Sequence, residues 1–296
     1  MVESKIVIRF DVDTKQEFEM ILEAASFLED LEIKGNIVTL VGSDMVGRTP
    51  FYRLLNKKIK RKNNIISSNF VLIPKSYLLR TLFSPYDFLK FKDTAKELLN
   101  YKHEIICHGL DHPRWSYDIL NETEKINWII KSRKNFKKLF NKYPDGFAPP
   151  CFVLKNDDLK TVSKYFRYVS TISKKQKIII YEIKKKPVLF DIPVTIAGPF
   201  SYVLNKNIKG GALPLLDYLI NKGVSEKSIV KYFERLPLKI LDVYYFHLMY
   251  EFKHYKKLLK MVLKVLTKNR TPTSFSEILN DVKRKKYESI SYRCTL

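Results

Sequence analysis

At 296 residues the chain can bury one large core. α/β barrels commonly reach such lengths as one domain, so a single domain over 1–296 is expected, closing in a tail of about 15 residues. Hydrophobic residues at 45% and a mean hydropathy of -0.21 exclude the composition of a disordered chain, while 54 basic against 31 acidic residues leave a net charge of +23, which suits an anionic partner or equally a solvated lysine-rich surface and excludes no fold.

Met1 leads almost directly into the β-like run Ile6-Val7-Ile8, without the basic and long apolar regions of a secretion signal. Residues 5–10 read as a first strand, after which Phe18, Ile21, Leu22, Ala25 and Leu28 recur at helical spacing. Ile37 to Val41 reads as a second strand before Gly42 and a further helical stretch. The basic run at 57–64 is an exposed loop or helix end, or a rim that guides an anionic substrate. His103 to Cys107 gives a third strand, and Asn121 with Glu124 forms a capping box opening a helix that carries Ile126, Ile129, Ile130 and Leu139. Further strands are expected at 167–171, 177–183, 188–194 and 239–247. The connection from about 200 to 225, with Gly210-Gly211, interrupts the rhythm without marking a domain boundary. Between Lys253 and Lys268, lysines 253, 256, 257, 260 and 264 share one face and Leu258, Leu259, Val262 and Leu266 another; this is a barrel helix with a solvated face, its alternative being a helix lying on a membrane.

Alternating strands and helices imply an α/β fold with a parallel sheet or barrel, whose ligand sites lie at the C-terminal ends of the strands. Cys107, Cys151 and Cys294 are too few and too scattered for a disulfide framework or a CxxC knuckle, which fits a reducing compartment. With no run of apolar residues long enough to span a bilayer, the expected location is the cytoplasm.

The chemistry gathers where strands end. Among only five histidines, His108 and His112 bracket the segment His108-Gly109-Leu110-Asp111-His112 after the third strand. Asp11 and Asp13 close the first, and His247 closes the run 239–247. Residues i and i+2 of an extended segment point to one side, so the two aspartates can face one site. Two imidazoles and one carboxylate suit a divalent ion that keeps positions open for water and substrate, zinc being the first choice and Co2+, Ni2+ or Fe2+ the alternatives; the second carboxylate then serves as general base. The plainer reading of Asp11 and Asp13 is helix capping, which does not explain why two are present. His103 and His254, outside any motif, read as structural or exposed, Asp111 as a turn former, and Cys107 as a small buried hydrophobe.

These segments resemble the polysaccharide deacetylase family, also called the NodB-homology or carbohydrate esterase 4 family. Phe10-Asp11-Val12-Asp13-Thr14 resembles its first motif, which implies Asp11 as catalytic base and Asp13 as metal ligand. His108 to His112 resembles the second, which implies both histidines as ligands. Gly146-Phe147-Ala148-Pro149-Pro150-Cys151-Phe152 stands where the third belongs, with Ala148 in place of the arginine that pairs with the base; either Arg9 or Arg114 must substitute, or Asp11 has another environment. Asp191-Ile192-Pro193-Val194-Thr195 resembles the fourth motif in the form of the aminoarabinose-lipid deformylase-like branch, and Tyr245-Phe246-His247-Leu248 the fifth, which implies His247 as general acid. The resemblance covers roughly residues 5 to 280. It implies a distorted (β/α) barrel with about seven parallel strands, in which Asp191 orients His247 or contacts the sugar, and Pro150, Phe152 and Trp115 line the pocket.

The implied activity is metal-dependent removal of an N-acyl group, acetyl or formyl, from an amino sugar. The branch suggests a sugar attached to a polyprenyl phosphate, and with it peripheral contact with an anionic membrane at its inner face. Two other readings stand beside it: a metal-free amidohydrolase, and a non-enzymatic basic protein binding anionic lipid or nucleic acid on the same fold. No nucleic-acid motif and no regular aromatic-basic interleaving is present, so no specific nucleic acid is expected.

Overall fold

The computed structural model describes residues 3–49, 51, 75–116, 118–172, 177–197, 225–284, 286–287 and 290–296. In chain order the elements are β1 (Lys5–Val12), α1 (Lys15–Glu19), α2 (Ile21–Glu29), β2 (Gly35–Leu40), α3 (Lys75–Phe83), α4 (Lys92–Leu98), β3 (Glu104–Gly109), α5 (His112–Ser116), α6 (Glu122–Phe140) and β4 (Gly146–Phe147). There follow α7 (Asn156–Val162), β5 (Tyr168–Val169), β6 (Ile178–Ile183), β7 (Lys186–Asp191), β8 (Ile196–Ala197), α8 (Glu226–Glu234), β9 (Leu241–His247), α9 (Lys253–Thr267), β10 (Thr271–Pro272), α10 (Phe275–Lys283) and β11 (Ser291–Thr295). Short 3-10 and π turns and a two-residue antiparallel ribbon, Ser43–Asp44 against Tyr86–Asp87, complete the set.

The main sheet runs β8-β9-β1-β2-β3-β4-β5-β7-β6-β11, with β10 also on β1. Every pairing is parallel except β6 with β7. One extended run joins the two ends of the parallel path. Ile192 and Val194 donate backbone bonds to Val169 and Thr171 on one side, and Thr195 donates to Val243 on the other, where Ile196 then pairs with Tyr244. Counting 186–197 as one staggered strand, the ring is β1, β2, β3, β4, β5, this run and β9, the seven parallel strands expected.

Why β1 sits at the centre follows from its side chains. It is buried from Ile6 through Val12, the near-continuous apolar character of a parallel strand covered on both faces. Ile6, Ile8, Phe10 and Val12 pack into the layer between sheet and helices. Val7 belongs to a second, inner cluster with Val38, Ile106, Tyr168, Phe190, Ile192 and Val243, and the two-residue period carries Arg9 and Asp11 onto that same inner face. Phe275, Ile278 and Leu279 of α10 join the inner cluster, with Phe275 stacked on Tyr168 at 5.6 Å.

Two expectations change. The strand at 177–183 is present but lies outside the parallel ring, as the antiparallel partner of β7. The two residues that turn the chain between them, Lys184 and Lys185, both have positive φ, 50° and 63°, the geometry of a tight hairpin turn that usually calls for Asn-Gly. The C-terminal stretch expected as a tail contains β11, paired in parallel with β6. The basic run at 57–64 and the connection at 200–224 fall outside the described residues. In α9 the apolar face, Leu258, Leu259, Val262 and Leu266, is buried and the five lysines point outward, as a barrel helix requires. No helix among the described residues is long and apolar enough to cross a membrane.

Candidate metal and catalytic site

Three strand ends converge. β1 delivers Asp11 and, one step beyond it, Asp13; β3 delivers His108; β9 delivers His247, in register with Asp11 across the β1–β9 pair. His112 opens α5 three residues after Gly109, whose φ of +98° turns the chain out of the strand. A Cβ at Gly109 would lie 1.8 Å from Cη2 of Trp128, so only glycine fits this corner.

Asp13, His108 and His112 each offer a ligand atom, and the three atoms lie within 4.8 Å of one another. Asp13 Oδ1 is 3.0 Å from His108 Nε2, and Asp13 Oδ2 is 3.7 Å from His112 Nε2. The ring orientations are fixed from behind. His108 Nδ1 lies 2.6 Å from the Ala148 carbonyl, which can only accept, so the proton is on Nδ1 and Nε2 presents a lone pair. Ser116 Oγ donates to the His112 carbonyl at 2.6 Å and so accepts from His112 Nδ1 at 3.1 Å, which frees that Nε2 as well. Asp13 Oδ1 and His247 Nε2 are buried with no hydrogen-bond partner. Two imidazoles and a carboxylate with one orphaned buried oxygen are a donor set that fits a divalent ion with positions left open.

Asp11 is held differently. Arg9, on the same strand and fully buried, donates from Nε and Nη2 to the two carboxylate oxygens, both at 2.6 Å. Arg9 also reaches the carbonyl and hydroxyl of Ser170 at 3.3 and 3.2 Å. Its guanidinium lies over the rings of Phe152 and Tyr245, 5.0 and 5.5 Å from their centroids. A paired fork between aromatic faces is how an arginine charge is accommodated inside a barrel. Asp11 remains 4.0 Å from His108 Nε2, beside the ligand cluster.

His247 sits between two carboxylates. Its Nε2 is 3.2 Å from Asp13 Oδ2 and its Nδ1 is 2.5 Å from Glu17 Oε1. Burial disfavours the charged ring, but Glu17 and Asp13 outweigh that and hold it protonated well above the usual histidine range. Burial likewise works against the Asp13 carboxylate, yet His112 and His108 beside it bring its pKa well below the usual value. Glu251, in the π turn after β9, accepts from the His247 amide at 2.8 Å, and burial pushes its carboxyl up to about 7.

The other sequence candidates divide. Of the two arginines considered for the pairing with Asp11, Arg9 makes it; Arg114 instead donates to Asp111 at 2.9 and 2.7 Å. Asp111, which also accepts from Trp128 Nε1 at 3.0 Å, is a structural anchor. Asp191 does not reach His247. It accepts from the Thr171 amide and hydroxyl at 3.1 and 2.6 Å, and burial raises its pKa to about 6. Phe152 does flank the site, edge-on to Tyr245 at 5.4 Å, and Pro150 is buried next to it. Trp115 is not a free pocket wall: it is 2% exposed, stacked on Trp128 at 4.9 Å, and donates to the Val153 carbonyl at 2.7 Å. Its edge borders a separate groove with Asp118, Lys155 and Leu296. His103 is structural, accepting from the Gly35 amide at 3.1 Å and bonded to the Ala25 carbonyl at 2.9 Å, and Cys107 is a buried thiol pushed up to about 12. The residue that sequence reasoning missed is Glu17, although Thr14-Lys15-Gln16-Glu17 carries the capping-box pattern that could have found it.

No family model matches the chain and no curated protein sequence matches it. Solved structures do. A protein assigned as a polysaccharide deacetylase from Mycobacterium smegmatis superposes with a TM-score of 0.59 at 12% identity, over 97% of this chain and 92% of that one. The allantoinase PuuE gives 0.54 at 10% identity, over 93% and 89%. A CE4-family pseudoenzyme from Bacillus anthracis gives 0.50 at 11%, over 94% and 66%. The fold is that of the CE4 deacetylases. Peptidoglycan deacetylases are also among the similar structures, yet one architecture here carries a deacetylase, an allantoinase and a pseudoenzyme, so activity has to be argued from the site.

Proposed function

We propose that this protein is a metal-dependent hydrolase that removes an N-acyl group, acetyl or formyl, from an amino sugar. The observation that carries the reading is the Asp13–His108–His112 cluster with two further groups poised beside it: Asp11, neutralised by Arg9, and His247, backed by Glu17. The deacetylases on this fold support it.

Asp13 and the two Nε2 atoms would hold the ion, which supplies Lewis-acid polarisation of the amide carbonyl and makes water acidic enough to attack near neutral pH. Asp11 accepts the proton of the attacking water on a carboxylate oxygen, while Arg9 keeps that carboxylate aimed. His247 donates from Nε2 to the departing nitrogen, since an amide nitrogen leaves only when protonated; positioned acid-base help of this kind contributes about 10²- to 10⁴-fold. Phe152 and Tyr245 cover the buried Arg9 guanidinium, a low-dielectric setting that strengthens its hold on Asp11.

The finer assignments belong to the same proposal: zinc as the ion, a sugar linked to a polyprenyl phosphate as the substrate, and a cytoplasmic location with peripheral contact at the inner membrane face. The charge of +23 supports a phosphate-bearing substrate. The test is a mass-shift screen of N-formyl and N-acetyl amino sugars, free and lipid-linked, with added Zn2+ or Co2+, alongside metal analysis. Loss of the acyl group by the wild type and not by His108→Ala or the chelated protein is expected. Hydrolysis that survives both changes supports a metal-free amidohydrolase, and salt-sensitive binding of anionic lipid or nucleic acid without any hydrolysis supports a binding protein.

A further inference from the structure

We propose that Glu17 is the positioning residue of His247, fixing the ring proton on Nδ1 so that Nε2 is the atom that works in the cleft; this rests on the reading of His247 as general acid.

The argument is a count of donors. Glu17 is fully buried at the start of α1. Its Oε2 accepts the backbone amides of Asp13 and Thr14 at 2.8 and 2.9 Å, and the Thr14 hydroxyl is 3.1 Å away. Its Oε1 faces His247 Nδ1 at 2.5 Å and accepts the amide of Met249 at 3.2 Å. Three backbone N–H groups thus point at the two oxygens, and a backbone N–H cannot reverse its role, so both oxygens must accept. The ionised carboxylate is the form that offers a lone pair to every one of these groups without asking Oε1 to donate and accept at once, and His247 Nδ1 opposite Oε1 then carries a proton whatever the charge of the ring. The same side chain that closes the capping box after Asp11 and Asp13 therefore also sets the histidine 230 positions away, tying the ligand loop to the proton donor through one carboxylate. Asp191, the carboxylate that sequence resemblance offered for this job, is occupied by Thr171.

Glutamine at this position is informative because it cannot meet that demand. Turned one way, its NH2 group faces the Asp13 and Thr14 amides and forfeits two acceptors. Turned the other, NH2 faces Met249 and His247, forfeiting one, and Nδ1 must become the acceptor. The second arrangement costs less, so Glu17→Gln is expected to strip the proton from Nδ1 and leave a neutral ring protonated only on Nε2. That is a poor acid.

The experiment uses full-length, metal-loaded protein with 15N-labelled histidine; the five histidines make assignment by single substitution practical. Wild type should show His247 Nδ1 protonated, Glu17→Gln should show it bare, and Glu17→Asp should retain the proton. On an accepted substrate, kcat of Glu17→Gln should fall by about 10²-fold or more, with KM changed less than about threefold, metal content unchanged, and part of kcat restored in Glu17→Asp. A bare Nδ1 in the wild type overturns the proposal even if the glutamine variant fails to fold. So does a proton kept on Nδ1 in a folded Glu17→Gln. A wild type that hydrolyses no amide but shows the expected ring states refutes the assigned activity and leaves the positioning role supported.

Discussion

The Arg9–Asp11 pair makes the sharpest quantitative demand on this structure. Arg9 is fully buried and Asp11 is 3% exposed, and the fork closes on both carboxylate oxygens at 2.6 Å. Arg9→Leu leaves a carboxylate facing the barrel interior with its counter-charge gone. Removing one partner of a buried pair costs about 3–5 kcal/mol, most of it the penalty on the survivor. Asp11→Asn strands the guanidinium instead, with only Ser170 and two aromatic faces left to it, and should cost a similar amount. In the double variant no charge is stranded. It should therefore cost less than the sum of the singles, with a coupling of about 2–3 kcal/mol. Urea denaturation of the chelated proteins, with the slope checked for constancy across all four, measures this without interference from bound metal. Additivity within about 0.5 kcal/mol would show that Arg9 does not neutralise Asp11, and the account of how the chain manages without an arginine at position 148 would collapse.

Two further outcomes follow from burial. Burial raises the Asp191 pKa from its ordinary value of 3.8 to about 6, so its contribution to stability is complete below the unfolded value and is lost as pH rises through the folded one. Over the whole range the loss is about 3 kcal/mol, roughly half of it between pH 5 and 8. Asp191→Asn, which keeps an acceptor and a donor for Thr171, should remove that dependence; a stability gap from wild type that fails to widen between pH 5 and 8 contradicts the assigned burial. Gly109→Ala combines a φ of +98° with a Cβ placed 1.8 Å from Trp128, a ring that stacks on Trp115 and donates to Asp111. It should destabilise the protein by about 3 kcal/mol or more and loosen His108 and His112 with it; a melting temperature within a degree or two of wild type would mean the corner is not as drawn.

What could be read from the sequence was what obeys a short period or a short motif. The β1 run, the strands ending at His108 and His247, and the apolar stripe of α9 all announce themselves because burial on one face repeats every two or 3.6 residues. Strands of two residues, such as Gly146–Phe147 and Ile196–Ala197, have no period to show. The β6–β7 hairpin was hidden for another reason: its turn places two lysines at positive φ, so the usual chemical signal is missing. Within the site, the Asp13–His108–His112 cluster is legible because its residues are rare and ordered, whereas the partners that orient it are not. Ala148 acts through its carbonyl and Ser116 through a hydroxyl on its own helix, roles that side-chain identity does not advertise. Trp115, expected at the pocket, packs on Trp128 with only its edge on a groove, because aromatic residues beside a motif serve core and pocket alike, and only packing decides between them.

A local pattern explains how Asp11 is paired while Ala148 stands in the β4 loop. Arg9, its partner Asp11, Asp13 of the His108–His112 cluster and Glu17 behind His247 all fall on one strand and the helix turn after it. An arginine supplied from the strand that carries Asp11 needs no help from the β4 loop, and that loop offers only a backbone acceptor at Ala148. Its side chain joins the inner core instead. Without Arg9, Asp11 would be a buried carboxylate left unpaired, which costs several kcal/mol.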